Sequence, residues 1–460
     1  MIMKTTIHKI AWAGMLSILT TCFSCEKMLE VETPENQIDK EMVFEDVQTA
    51  NAALAGLYAG VRDNSMVAGD QMGPILGTYT DDLENHAVTT ANGIIDIYRN
   101  QHIENNSVIY SAWSSNYQQV YTANAILEGL ESSQALPQSQ KQRMKGEALF
   151  LRTLLLYYQQ QLFGDIPYPV TTNYMINQTI AKTPSAEVLE RLESDLMESA
   201  NLLNDAYTNA ERIFVNKKAA EMLLAKVLMH QNRWQEAEAL LKGIIQSSLY
   251  TWEADVSKVF LKTGKHIIFQ LKPALAGDPT REANIYYFGT AAPTNYSLST
   301  TLYNSFSAAD QRRQKWIAAV PVGSTVWYRA DKYKVRLNNS TEYSIVFRLE
   351  EAYLLLAECL AQQSKISEAL PYVNATRLRA GLTALPASMT QVNLLNAVLD
   401  ENRKEFFAEM GKRFFDLKRA GQLSQLLSAK PNWQPFHQLW PIPQKELLLN
   451  PAMKPQNTGY

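Results

Sequence analysis

Along most of this chain the apolar positions recur with the period of a helix. Ala352, Leu355, Leu356, Cys359 and Leu360 stand at i, i+3, i+4, i+7 and i+8, one face of a helix. The same face is written twice, at an offset of 132 residues. Ala220, Leu223, Leu224, Ala225, Leu228, Gln231, Glu236 and Ala237 match Ala352, Leu355, Leu356, Ala357, Leu360, Gln363, Glu368 and Ala369. Each copy predicts a helix, a short polar turn (Asn232-Arg233, Ser364-Lys365) and a second helix, with alanines small enough for close approach. This is the pattern of a tetratricopeptide-like helix pair, which buries its face by stacking on neighbours. Two weaker pairs are predicted, one joining 48–58 to 109–130 and one joining 141–163 to 187–203. The copies are not consecutive, so a regular solenoid is not expected. The fold class that follows is mainly α: tetratricopeptide-like helix pairs form a scaffold with long irregular loop insertions and a few short strands.

Two stretches break the helical period. Residues 62–106 carry Gly69, Gly73, Pro74, Gly77 and Gly93, and residues 273–339 read as a second insertion. Short strand-like runs are confined to 266–272 and 325–328. Long loops within an ordered domain tend to carry function, and the aromatic residues in these two argue against disorder. Composition gives the same emphasis: 46% of residues are hydrophobic and 10% aromatic, with 22 Tyr and 8 Trp. The formal net charge is −3, so no basic excess exists to neutralise phosphates and nucleic acid is excluded as a partner. A near-neutral balance points to a neutral ligand.

The first residues read as an address. Lys4, His8 and Lys9 precede an apolar run from residue 10 to about residue 23. That run is shorter than the ~20 apolar residues of a membrane span and has the layout of a secretory signal. It ends in Thr20-Thr21-Cys22-Phe23-Ser24-Cys25, where Ser24 before Cys25 suits cleavage and acylation of Cys25 as the mature N-terminus. Cleavage at Cys22 after Leu19-Thr20-Thr21 is the alternative, and an ordinary signal peptide with incidental cysteines is a third reading. The expected organisation is a lipoprotein signal over 1–24 and one domain over 25–460, with an N-terminal half at 25–210 and a C-terminal half at 211–460. Only Cys22, Cys25 and Cys359 exist. With Cys25 acylated, no internal disulfide or thiolate metal cluster is available, and Cys359 on its apolar stripe reads as a core thiol.

A search for catalytic chemistry finds little. There is no Gly-x-Ser-x-Gly elbow, phosphate loop or dinucleotide fingerprint. The six histidines show no metal-ligand spacing on one helix. Asp81-Asp82-Leu83-Glu84 is the strongest carboxylate cluster, suited to accept hydrogen bonds from sugar hydroxyls or to bind a cation, or simply to form a solvated turn. No residue is nominated as catalytic and no cofactor or metal is expected.

Four blocks then combine. The first is Cys25-Glu26-Lys27-Met28-Leu29-Glu30-Val31. The second is Gly146-Glu147-Ala148-Leu149-Phe150-Leu151-Arg152, continuing to Leu162-Phe163-Gly164-Asp165-Ile166-Pro167. The third is Glu401-Asn402-Arg403-Lys404-Glu405-Phe406 with Gly411-Lys412-Arg413-Phe414-Phe415-Asp416-Leu417. The fourth is Leu439-Trp440-Pro441-Ile442-Pro443, closing on Gln456-Asn457-Thr458-Gly459-Tyr460. In this order and spacing the chain resembles the SusD/RagB family of outer-membrane nutrient-binding lipoproteins of Bacteroidota. Asn402 departs from the family's usual Arg, and Thr458 from its usual Pro. Physically the blocks read as structural: Gly164 suits a helix stop before Pro167, and Phe406, Met410, Phe414 and Leu417 form an apolar helix stripe. Glu401, Arg403, Glu405, Glu409, Arg413 and Asp416 are placed for ion pairs around that stripe, and Trp440 and Ile442 pack an extended tail.

The resemblance implies binding without catalysis. Family members act as lids on a SusC-like TonB-dependent outer-membrane transporter, capture oligosaccharide or in some cases peptide, and pass it to the barrel. It implies a lipid-anchored protein facing the cell exterior, with palmitate at Cys25. Ligand contacts in the family come from the irregular insertions. That places the expected site at Tyr79, Asp81, Asp82 and Tyr98 in the first insertion, and at Tyr286, Tyr287, Phe288, Tyr296, Trp327 and Arg329 in the second. One of Tyr286, Tyr287 and Phe288 is expected to be exposed. Trp113, on a patterned helix with Tyr117 and Tyr121, and Trp234, in a repeat turn, are expected in the core. A tetratricopeptide-type subunit holding peptide for a peptide-importing transporter is the competing reading.

Overall fold

A computed structural model describes residues 40–88 and 92–460. The leader and Cys25 lie outside the described residues. Residues 44–460 pack as one unit. Its main helices are α1 (Val47–Asp63), α2 (Met72–Tyr79), α3 (Ile94–Tyr98), α4 (Ser107–Ser132), α5 (Gln138–Phe163), α6 (Ser185–Leu202), α7 (Lys217–His230), α8 (Trp234–Ile245), α9 (Leu349–Gln362), α10 (Ile366–Arg379), α11 (Gln391–Phe406), α12 (Lys412–Arg419) and α13 (Gln444–Leu449). Shorter helical turns join them. The strands are β1 (Leu83–Asn85), β2 (Ile267–Leu271), β3 (Tyr296–Leu298), β4 (Ile317–Val322), β5 (Thr325–Ala330) and β6 (Ser344–Arg348). They form three antiparallel pairs, β1–β3, β2–β6 and β4–β5.

From α4 to α10 each long helix packs on the next, and α8 lies directly on α9. The two copies that sequence separates are therefore neighbours in space. They share the same turn: Asn232 and Ser364 both take left-handed φ, 59° and 60°, at a site where one polar residue reverses the chain. The copies are also tied to each other, since Gln363 Nε2 and Lys365 Nζ both donate to Glu238, at 2.7 and 2.8 Å. The intervening hundred residues are an insertion whose ends are brought together by β2 and β6. Every residue of both strands is buried. Phe150 of α5 sets its ring edge against Phe269 of β2 and Phe347 of β6. The thiol of Cys359 is fully buried, and burial raises its pKa further above the ordinary value, as a core thiol requires.

The four sequence blocks meet as structure. Gly164 ends α5 at φ 76°, and the Asn457 amide of the last block donates to Phe163 O and Trp440 O at 2.8 and 2.7 Å. Trp440 and Ile442 are fully buried. In the third block, Glu405 accepts from Arg348 and Arg379 at 2.6 and 2.5 Å. Glu401 accepts from Arg312 at 2.6 Å. All of these groups are buried, so each charge has a hydrogen-bonded counter-charge in place of water.

Two expectations change. The stripe Phe406, Met410, Phe414 and Leu417 is not one helix: α11 stops at Phe406, Ala408 and Met410 take positive φ, and α12 starts at Lys412. The break turns Phe407 inward against Trp316 and Phe306 and offers the Ala408 carbonyl to the Tyr286 hydroxyl at 3.0 Å. The first insertion is also less irregular than its glycines suggest. Met72 to Tyr79 is a wholly buried helix, and a Cβ on Gly73 would lie 2.8 Å from the Ala408 oxygen. Glycine is needed there for close approach, which mimics a turn signal in sequence.

Candidate functional site

The expected site residues separate into an interior group and a surface group. Tyr79 is fully buried. Its hydroxyl donates to His437 O at 2.7 Å, and its ring is enclosed by His102, Phe414, Trp433 and Trp440. Asp81 and Asp82 are buried beside it. Arg403 bonds both, at 2.9 and 2.8 Å, and Arg413 bonds Asp81 at 3.0 Å. Burial acts to raise the Asp81 pKa, but Arg403 and Arg413 override it and hold the carboxyl below its ordinary value. For Asp82, more deeply buried, burial prevails over Arg403 and the value rises. The acidic doublet is thus the counter-ion of the third block, neither a solvated turn nor a sugar-facing edge. Tyr286 and Phe288 are buried as well, whereas Tyr287 is 42% exposed. One exposed ring of three was expected; the segment follows a helical turn at 281–285. Tyr296 pairs with Asn85 across β1–β3 and packs half-buried against the core beneath it.

The surface group is continuous. Along β1, Leu83 and Asn85 point inward, so Glu84 and His86 share the outer face. The Tyr98 hydroxyl donates to Glu84. His86 Nε2 lies 2.8 Å from the Ser297 hydroxyl of β3, and its ring meets Trp327 edge-on at 4.9 Å. On β5, Trp327 and Arg329 share a face, and the opposite residue Tyr328 stacks on Tyr303 at 3.5 Å. Arg329 donates to Phe288 O at 2.6 Å and to Asp331 at 2.9 Å, which sets its guanidinium 4.6 Å over the Tyr287 ring. Arg336 lies 3.7 Å from the same ring. Tyr98, Glu84, His86, Trp327, Arg329 and Tyr287 therefore form one strip across β1, β3 and β5, with β3 and β5 side by side.

The strip is anchored from below. The buried Lys430 amine donates to Thr78 O at 2.6 Å and Tyr98 O at 2.9 Å and lies 4.0 Å from the Tyr98 ring centroid. Burial lowers its pKa to about 8. Burial likewise lowers His86, with Glu84 opposing, so His86 is a neutral imidazole at pH 7 with one donor and one acceptor nitrogen. Burial and Glu84 raise the Tyr98 hydroxyl, which stays protonated.

Chemically the strip offers three half-buried to exposed aromatic rings at intervals, a carboxylate, an imidazole and a guanidinium. Flat apolar faces interleaved with donors and acceptors suit a ligand that has both C–H faces and hydroxyls. No group of His, Cys, Asp and Glu among the described residues is arranged to hold a metal. No helix among them is long and apolar enough to cross a membrane. Sequence reasoning named Glu84 only as part of the carboxylate cluster and missed His86, Ser297 and Arg336; the alternation Leu83-Glu84-Asn85-His86 was the signal for His86.

Comparison with known proteins covers nearly the whole chain. Residues 27–229 match a SusD-like family described as starch-binding and associating with the outer membrane, and residues 271–434 match the SusD family. SusD-like protein P25 of Formosa agariphila is 24% identical, with 96% of this chain and 98% of that protein aligned. A SusD superfamily protein of Bacteroides vulgatus superposes with a TM-score of 0.78 at 20% identity over 90% of this chain and 99% of its own. Surface glycan-binding protein A of Bacteroides thetaiotaomicron, solved in complex with laminarihexaose, superposes with a TM-score of 0.73 at 19% identity over 89% of this chain and 99% of its own. With the stacked helix pairs and the joined sequence blocks, these matches identify the chain as a member of the SusD/RagB family.

Proposed function

We propose that this protein is a glycan-capturing lipoprotein of the outer membrane, and that the strip from Tyr98 to Tyr287 is its ligand surface. The observation that carries the reading is the set of three contacts Tyr98–Glu84, His86–Trp327 and Arg329–Tyr287, joined by the alternate positions 84 and 86 and 327 and 329 along extended chain. It places aromatic planes and hydrogen-bonding groups alternately on one face. The laminarihexaose complex of a protein with the same fold supports a saccharide as the ligand. Binding without cleavage fits the carboxylates at and beside the strip, each of which is committed to a partner: Glu84 to the Tyr98 hydroxyl, Asp331 to Arg329, and Asp81 and Asp82 to Arg403 and Arg413. Acylation of Cys25 anchors it, and a SusC-like TonB-dependent transporter receives the ligand.

Affinity electrophoresis against laminarin, starch, mannan and xylan tests the ligand class. Retardation of the wild-type protein by at least one polysaccharide, lost on Trp327→Ala, is expected. Retardation by none contradicts the reading. Labelling with a palmitate analogue, abolished by Cys25→Ala, tests the anchor.

A further inference from the structure

A second concave site lies away from the strip and shares no residue with it. Between α4, the loop 167–180 and the segment from α13 to residue 453 is a cavity of about 720 Å³, within the ~300–1,000 Å³ range of ligand sites. Trp113 and Tyr117 form its depth, while Tyr121 and Tyr174, 54% and 73% exposed, stand at its lips. Tyr121, on the same helix face as Trp113, presents its ring to this opening.

The site is built, not incidental. Four side chains spend their donors on the carbonyls of the loop that forms its wall. Tyr117 bonds Pro167 O at 2.8 Å and Asn124 bonds Pro169 O at 2.9 Å. Asn177 bonds Thr171 O and Asn450 bonds Ile180 O, both at 2.7 Å. Each of the three asparagine amides keeps a second N–H. The Asn177 Oδ1 atom is buried with no partner. Glu446 is the sole charged residue of the lining; burial raises its pKa, against Lys445 and the neighbouring Trp113 indole N–H.

These features narrow the occupant. An orphaned buried acceptor costs ~1–3 kcal/mol until a donor reaches it, so the ligand must supply a donor. A half-buried carboxylate without a lining cation repels anions. Four aromatic rings call for flat apolar faces. A hydrocarbon chain fails the first condition, and an acidic or sulfated glycan fails the second. We propose that this cavity is a second saccharide site, taking one or two uncharged sugar rings whose hydroxyls donate to Asn177 and Glu446 while their faces lie on Tyr121 and Tyr174. The inference rests on the reading of the chain as a glycan binder and makes it bivalent, with the strip and the cavity engaging separate parts of one polymer or separate chains.

Calorimetric titration of the full chain with laminarihexaose, maltohexaose and cellohexaose tests it. Wild type is expected to bind at least one of them with a stoichiometry of two. Trp327→Ala is expected to keep one site, the pair Tyr121→Ala and Tyr174→Ala to keep the other, and the triple variant to keep none. Both tyrosines are exposed, so the fold is retained. If wild type binds a hexasaccharide and the tyrosine pair leaves stoichiometry and affinity unchanged, the second site is wrong and the strip stands. If the pair instead weakens association with a co-expressed transporter while sugar binding is unchanged, the cavity is a protein-docking site and the proposal is overturned. If wild type binds none of the three and no polysaccharide retards it, both readings fall.

Discussion

Tyr79 and Tyr98 stand nineteen positions apart in the same insertion and read alike in sequence, but they do opposite work. The ring of Tyr79 is closed in by other rings and its hydroxyl is used up on His437 O. The ring of Tyr98 lies half-exposed with a buried amine under it. The carboxylates behave the same way: Asp81 and Asp82 are the counter-ions of two arginines more than three hundred residues later, while Glu84, two positions on, faces out toward Tyr98. What separates interior from surface is the partner each side chain meets, and those partners come from distant blocks of the chain. Lys430 joins the two halves by bonding a carbonyl from each.

Breaking the interior half should cost stability and spare ligand affinity in the folded fraction. The largest effect is expected from Arg403→Ala, which strands buried Asp82 and leaves Asp81 to Arg413 alone; a loss of ~3–5 kcal/mol in chemical denaturation is predicted. Tyr79→Phe leaves His437 O without its donor and should cost ~1–3 kcal/mol, again with hexasaccharide affinity unchanged.

Lys430 predicts a pH dependence. Its folded pKa is about 8 against the ordinary 10.5 of lysine. Between those values the unfolded chain holds a proton that the folded chain has released, so stability rises with pH across about 8 to 10.5, and the penalty is fully present below 8. Comparing wild type with Lys430→Met from pH 7 to 10.5 should show a rise steeper in the wild type by on the order of 3 kcal/mol, above the slope that Lys332 and Lys418 give both proteins. A parallel pair of profiles would contradict the burial of this charge. The smallest effect is expected on the surface. Tyr98→Phe removes one hydroxyl from the strip and should weaken glycan binding by ~0.5–1.5 kcal/mol, a few-fold, with little change in melting temperature.

Much of the scaffold was legible because it is periodic. The repeated face of Ala220–Leu228 and Ala352–Leu360 marks two helices that the structure places in adjoining pairs, and their polar turns share one φ. The ends of helices without flexible signals were legible too, as at Gly164. The site was legible in part. Tyr98, Tyr287, Trp327 and Arg329 lie on the strip. Phe288 is buried, and Tyr79, Asp81, Asp82 and Tyr286 are held inside by Arg403, Arg413, His437 and Ala408, contacts between residues more than a hundred positions apart. Sequence patterns report the periodicity of one element; they do not report which element will cover it. The glycines of Met72–Tyr79 show the same limit, since a buried helix with close neighbours uses the residues of a turn.

The most direct measurement of the central claim is the hexasaccharide affinity of Trp327→Ala set beside that of Tyr79→Phe at equal folded concentration. The account predicts a loss of about tenfold or more for Trp327→Ala, the ~1.4 kcal/mol or more of a buried aromatic contact, and no change for Tyr79→Phe. Unchanged affinity in Trp327→Ala, or a loss in Tyr79→Phe that its folded fraction does not explain, would contradict it.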